Sequence, residues 1–197
     1  GLYSPSQAQT AETFGAFWGG KPDVFDDDEI ERNRRWYGRV AKGARELIEA
    51  VFHSRREVSV LDAGCGIGIG VYSFLYGLLD QINYLGVDAS TAIDIARDYL
   101  NKKGVTNSRF MQADFSRLPS VLGKFDLIIA LGTLHHSDSV ERSIQALSPF
   151  LSVEGKFFIW VINEQKPLRK ATDAALRSYF QQLSPEEALE NMKSYTK

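Results

Sequence analysis

The sequence has a single cysteine, Cys65. No disulfide can form within the chain, which points to a reducing setting and an expected cytoplasmic location. Charge of one sign is also scarce. The 23 Lys and Arg residues against 25 Asp and Glu leave a formal net charge of −2 and a pI near 6.0. Without a basic field there is little to hold a phosphate backbone, so nucleic acid is not an expected partner. The local basic run Arg32, Arg34, Arg35, Arg39 is matched by Asp26, Asp27, Asp28, Glu29 and Glu31, the mark of a solvated helix face. No apolar run approaches the roughly 20 residues needed to cross a bilayer. The N-terminus lacks the charged-then-apolar order of a secretory signal. No membrane association is therefore expected, and no repeat or low-complexity tract breaks the chain.

What is present is an alternation of strand and helix. Residues 1–28 are rich in Gly, Ser, Pro and Asp but also carry Phe14, Phe17, Trp18 and Phe25. They read as an N-terminal arm or a flap over a pocket. From Asp28, a capping residue, apolar positions at helical spacing predict one helix through Phe52. The run Val58–Leu61 predicts a first strand. A glycine-rich turn, Gly64–Gly70, leads into a helix over Val71–Leu79. A second strand, Tyr84–Val87, ends at Asp88. Ser90 caps a helix to about Lys103, and Gly104 stops it. Further strands fit Arg109–Gln112, Phe125–Leu131 and, after a turn at Glu154-Gly155, Lys156–Ile162, with a helix over Ser139–Phe150. Strands apolar on both sides and alternating with helices predict a mainly parallel, doubly wound α/β sheet. Residues 29–163 form this core. Residues 164–197 read as a helical segment with stretches near Thr172–Leu183 and Pro185–Tyr195, a candidate lid.

Three strand ends carry the chemistry. The first is Val60-Leu61-Asp62-Ala63-Gly64-Cys65-Gly66-Ile67-Gly68. A nucleoside-bearing ligand lies across the carboxyl ends of such strands, and close backbone approach there needs residues without a Cβ. The second is Gly86-Val87-Asp88-Ala89, whose acid can accept two ribose hydroxyls. The third is Gln112-Ala113-Asp114-Phe115. An acid there can accept an adenine amino group, and an aromatic ring can pack on the base. Taken singly, Asp88 and Asp114 also suit helix caps.

Together the three elements resemble the class I S-adenosylmethionine-dependent methyltransferases, in particular the small-molecule subgroup, over roughly residues 30–163. The resemblance implies a Rossmann-like fold and S-adenosylmethionine as cofactor, with S-adenosylhomocysteine as its product. It places Asp62, Gly64, Cys65 and Gly66 at the methionine end and Asp88 and Ala89 at the ribose. Asp114 and Phe115 fall at the adenine, and the backbone at Leu131 faces the amino group. Asp126 in the fourth strand and Leu134-His135-His136 after it also look like the family. His136 is the candidate general base on a small-molecule acceptor, although alignment and water exclusion alone can drive methyl transfer. His135 reads better as an orienting group, and Cys65 as a tolerated small side chain rather than a nucleophile. Trp18, Trp36, Tyr37 and Trp160 are read as packing before pocket lining. No metal site is predicted.

Two other functions fit the sequence. One is an NAD(P)-dependent oxidoreductase, since Gly64, Gly66 and Ile69 approximate the dinucleotide pattern. The other is a non-catalytic S-adenosylmethionine-binding domain of a larger protein. The family sheet closes with two further strands beyond the fifth, and this chain ends at Lys197 without them. An uncovered fifth strand is expected either to self-associate into a homo-oligomer or to need a partner segment there.

Overall fold

The computed structural model describes residues 5–19, 26–41, 43–161 and, beyond these, 178, 179, 182–184, 187 and 191. Residues 1–161 form one compact unit and residues 162–197 a second. In the second unit Ser184 and Glu187 exchange capping hydrogen bonds. The expected helical stretches after residue 164 otherwise lie outside the described residues.

Five strands build the sheet of the first unit: β1 (Val58–Ala63), β2 (Ile82–Asp88), β3 (Ser108–Gln112), β4 (Phe125–Leu131) and β5 (Leu151–Trp160). Their order is β3-β2-β1-β4-β5, and every neighbouring pair is parallel. The fold is thus the Rossmann-like, doubly wound sheet expected from the sequence. Its order reverses between β1 and β4, which opens a crevice at the carboxyl ends of the strands.

Alternation along each strand feeds two cores. Val58, Val60, Ile82, Tyr84, Leu127 and Ile129 face one side. There they pack on α3 (Ala44–His53), α4 (Ile69–Phe74) and α5 (Ala92–Lys102). Leu61, Ala63, Leu85, Val87, Ile128 and Ala130 face the other side, against α6 (Val140–Leu147) and the tight turns Leu134–His136 and Ser148–Phe150. Leu61, Leu127, Ile128 and Ile129 are fully buried, each worth about 1.5–3 kcal/mol of apolar transfer. At the amino end of β4, Asp126 accepts from the Ser59 amide, the Ser59 hydroxyl and the Ser152 hydroxyl, and Arg55 lies 3.3 Å away. Burial opposes its charge, but these partners hold its carboxyl below the usual range. Asp126 therefore fastens the bottom of the sheet, away from the strand tips.

Five local readings need correction. The single helix expected from Asp28 to Phe52 is two: α2 (Asp27–Val40) and α3, separated at Gly43, which has a φ of 88°. The cap of α2 is Asp26, which accepts from the Glu29 amide at 2.6 Å, not Asp28. The helix after the glycine turn ends at Phe74, and Leu79–Gln81 form a separate tight turn. The expected turn at Glu154-Gly155 lies inside β5. Glu154 takes a φ of 64°, and the register slips there. Phe125 pairs Leu151 while Leu127 pairs Lys156, so β5 bulges there and then rejoins the ladder. Ser90 does act at the start of α5, its Oγ accepting from the Ala92 amide at 3.3 Å, but Thr91 holds the cap position.

The N-terminal arm contains a helix, α1 (Pro5–Gly19). It crosses the start of α5 closely. A Cβ on Gly15 would come within 2.8 Å of the Thr91 hydroxyl oxygen.

Candidate functional site

A cavity of about 290 Å³ opens at the carboxyl ends of β1, β2 and β4. Its floor is the glycine loop, Gly64, Cys65, Gly66 and Ile67, with Asp62 beneath. Asp88, Ala89, Ser90 and Phe115 form one wall, and Leu131, Gly132, Thr133, His136 and Ser137 the opposite one. Thr10, Ala11, Phe14 and Trp18 from α1, with Asn33 and Tyr37 from α2, complete the enclosure.

The loop is held in place by backbone and by one carboxylate. The Gly64 and Cys65 amides donate to the Val87 carbonyl at 2.7 and 3.0 Å. Asp88 accepts the Gly66 amide through Oδ2 at 2.8 Å. Its Oδ1 accepts the Ser90 amide and hydroxyl at 2.8 and 2.6 Å. Asp88 thus ties the tip of β2 to the floor of the cavity while lining it.

Two glycines are there for different reasons. Gly64 has a φ of 84°, and a Cβ on it would lie 2.5 Å from the Thr133 methyl group. Thr133 in turn donates its hydroxyl to the Ala63 carbonyl at 2.7 Å. Gly64 therefore lets β1 and the β4 loop close on each other. Gly66 has a φ of 51°, and its missing Cβ would meet only Trp18 Nε1, at 3.9 Å. That space belongs to the cavity, so Gly66 leaves a cradle that any side chain would fill.

Asp62 is 2% exposed and accepts the Tyr84 hydroxyl at 2.9 Å. Burial raises its carboxyl to about 7; Tyr84 pulls it down, and the nearby Asp88 adds to the rise. Burial also pushes the Cys65 thiol well above its ordinary value, with Asp62 and Asp88 reinforcing the effect. A thiol so disfavoured as thiolate is no nucleophile. Burial raises the Tyr37 phenol as well.

Of the residues singled out in the sequence, Asp62, Gly64, Cys65, Gly66, Asp88, Ala89, Phe115, Leu131 and His136 meet at this one cavity. Asp114 does not line it. Its carboxylate accepts the Ser116 amide and hydroxyl at 2.8 and 2.7 Å, capping the turn Phe115–Arg117. That turn delivers Phe115 to the cavity wall. His136 faces Phe14 of α1 edge-on, ring centres 5.0 Å apart. Both ring nitrogens of His135 are buried without a hydrogen-bond partner among the described residues, and burial lowers its pKa. Of the four large aromatics, Trp18 and Tyr37 line the cavity, whereas Trp36 and Trp160 pack edge-on at 4.7 Å. Tyr84 and Thr133 were not legible as site residues. Tyr84 reads as an ordinary strand aromatic, and Thr133 carries no motif.

The chain matches, over residues 54–195, the family described as a methyltransferase domain. It belongs to that family. The match favours the methyltransferase family over the NAD(P)-dependent oxidoreductases, and S-adenosylmethionine is the cofactor that goes with that family. Among curated relatives, the methyltransferase domain is 31% identical over 106 residues to the uncharacterized methyltransferase YcgJ of Bacillus subtilis, covering 53% of this chain and 41% of that protein. It is 36% identical over 97 residues to the 2-heptyl-1-hydroxyquinolin-4(1H)-one methyltransferase of Mycobacteroides abscessus, covering 49% and 41%. Its fold is like that of a magnesium protoporphyrin IX methyltransferase from Synechocystis solved with bound S-adenosylmethionine, with a TM-score of 0.56, 18% identity and coverage of 77% and 74%. The methyltransferase domain thus spans about two fifths of the length of those two curated relatives. None of its described helices is long and apolar enough to cross a membrane.

Proposed function

We propose that this domain transfers a methyl group from S-adenosylmethionine to a neutral small-molecule acceptor. The observation that carries the reading is the open cradle at Gly66, floored by glycine backbone and flanked by Asp62 and Asp88. The residues fit the cofactor's parts. Asp88 would take the ribose hydroxyls, and the Gly64–Gly66 backbone with Asp62 the methionine end. Leu131 would present its backbone to the amino group, and Phe115 would pack on the adenine. Asp114, already committed to capping, would act on the adenine mainly by placing Phe115.

Bound S-adenosylmethionine would supply an electrophilic methyl group on a cationic sulfur. The chain's own task is alignment and exclusion of water. Phe14, Trp18 and Tyr37 supply apolar walls on the acceptor side, and His136 receives the proton that the acceptor gives up. The walls support this acceptor class. Asp62 and Asp88 are the charged side chains among the described lining residues, and no Lys or Arg is among those. An anionic acceptor would find no counter-charge among these described side chains. A neutral, apolar molecule with an ionisable hydroxyl or amine suits such a surface. The mycobacterial relative, whose named substrate is a heptyl-hydroxyquinolone, supports this class. A buried, unpaired Cys65 accords with a cytoplasmic location.

The test is a screen with methyl-labelled S-adenosylmethionine against neutral phenols and hydroxyquinolones, carboxylated analogues, and tRNA. Label should enter the neutral acceptors. Label appearing only in tRNA or only in the carboxylated compounds would contradict the reading.

A further inference from the structure

Tyr84 carries a hydroxyl into an otherwise apolar part of the core. Tyr84 sits in mid-strand on β2, fully buried within an apolar core cluster. Its ring packs edge-on to Phe110 at 5.7 Å. A phenylalanine would fill that volume equally well, and a buried hydroxyl costs free energy unless it is bonded. The next residue on the same face is a glycine. A Cβ on Gly86 would lie 2.9 Å from the Tyr84 ring and 3.0 Å from both its hydroxyl oxygen and Cys65 Sγ. The strand thus clears room for the ring to lie along it and bring the hydroxyl to Asp62 Oδ2 at 2.9 Å.

Asp62 needs such a partner. The groups around it are Tyr37 from α2, Cys65 from the glycine loop, and Tyr84 and Asp88 from β2. None is cationic, and no ion pair to Asp62 exists among the described residues. Burial and Asp88 both favour the neutral acid, and the Tyr84 hydroxyl opposes them.

We propose that Tyr84 is a positioning residue, whose hydroxyl fixes the Asp62 carboxyl at the cavity floor and favours its carboxylate form, so that Asp62 can receive the cationic amino group of the cofactor. This rests on the cofactor reading above. It makes cofactor affinity depend on pH through Asp62, with Tyr84 setting where the dependence falls. The sign follows from the direction of the Tyr84 effect. Removing a donor to the charged form raises the Asp62 pKa, so the charged form is lost at a higher pH.

The experiment is calorimetric titration of S-adenosylhomocysteine from pH 5.5 to 8.5, on the wild-type chain and Tyr84→Phe, beside a carbon NMR titration of the Asp62 carboxyl in the ligand-free proteins. Wild-type affinity should fall as pH drops through about 7. In Tyr84→Phe the fall should begin about one pH unit higher, making binding about five- to tenfold weaker between pH 6 and 7 and little changed at pH 8.5. The Asp62 carboxyl midpoint should move with it. Replacing Tyr84 by 3-fluorotyrosine, a stronger donor of the same shape, should move the fall to lower pH, which keeps the test open if the phenylalanine variant folds poorly. Asp62→Asn should remove the acid limb. A purely structural tyrosine would weaken binding by one factor at every pH and leave the limb in place. That result would overturn the role of Tyr84 alone. Failure of the wild-type chain to bind at any pH would overturn the cofactor reading, and this inference with it.

Discussion

Asp62→Asn should stabilise the ligand-free protein above neutral pH. The carboxyl is buried, and its folded-state pKa is raised from 3.8 to about 7. A carboxyl with a raised folded-state value contributes fully to stability below its unfolded value. That contribution drains away as pH climbs and is gone above the folded value. The window therefore runs from about pH 4 to pH 7. At about 1.36 kcal/mol per pH unit, the rise corresponds to about 4 kcal/mol of strain on the charged form. Asparagine removes the charge, relieves the repulsion from Asp88, and can still accept the Tyr84 hydroxyl through its amide oxygen. We expect Asp62→Asn to match the wild type near pH 4. The variant should become about 2–4 kcal/mol more stable by pH 8, a rise in Tm of about 5–15 °C for a chain of this size. Denaturant melts at pH 4, 6 and 8 would measure it. A variant that is equally stable, or less stable, at pH 8 would refute the claim that Asp62 is a strained charge kept for binding.

Other outcomes follow from the same geometry. Asp88→Ala removes three protein hydrogen bonds as well as the ribose acceptor. It should weaken S-adenosylhomocysteine at least about tenfold and also lower Tm; unchanged calorimetric affinity would remove Asp88 from the site. His136→Ala should lower turnover by about a hundredfold with cofactor affinity retained, and a loss below about threefold would favour alignment without a base. β5 is an edge strand of the sheet formed by the described residues, and if it is open the apparent mass in light scattering should rise with concentration. A constant monomer mass with slowly exchanging β5 amides would show that the edge is already paired.

The sequence carried most of the strand layout because buried parallel strands are apolar on both faces and end at glycine or acid. β4 was legible to the residue, bracketed by Gly123 and Gly132. β5 was not, since Glu154-Gly155 has the composition of a turn yet serves a bulge within the ladder. The break at Gly43 was hidden because the apolar spacing continues across it from Tyr37 to Ile48. At the site, the glycine loop and Asp88 stand in one short motif each. Tyr84 and Thr133 act only through partners distant along the chain, Asp62 and Gly64, and nothing in their local sequence marks the contact. Asp114 illustrates the opposite failure. A capping acid and a ligand acid share one sequence pattern, and only the fold separates Asp114, held by Ser116, from Phe115, which reaches the cavity.

The central claim is that the Gly66 cradle holds the methyl donor, and calorimetry on Gly66→Val tests it most directly. The added branches would enter space where the protein itself places only Trp18 Nε1, 3.9 Å from the new Cβ. The wild-type chain should bind S-adenosylhomocysteine with one-to-one stoichiometry and show no binding of NAD. Gly66→Val should lose that binding while still unfolding cooperatively. A folded Gly66→Val variant that binds S-adenosylhomocysteine as the wild type does would contradict the account.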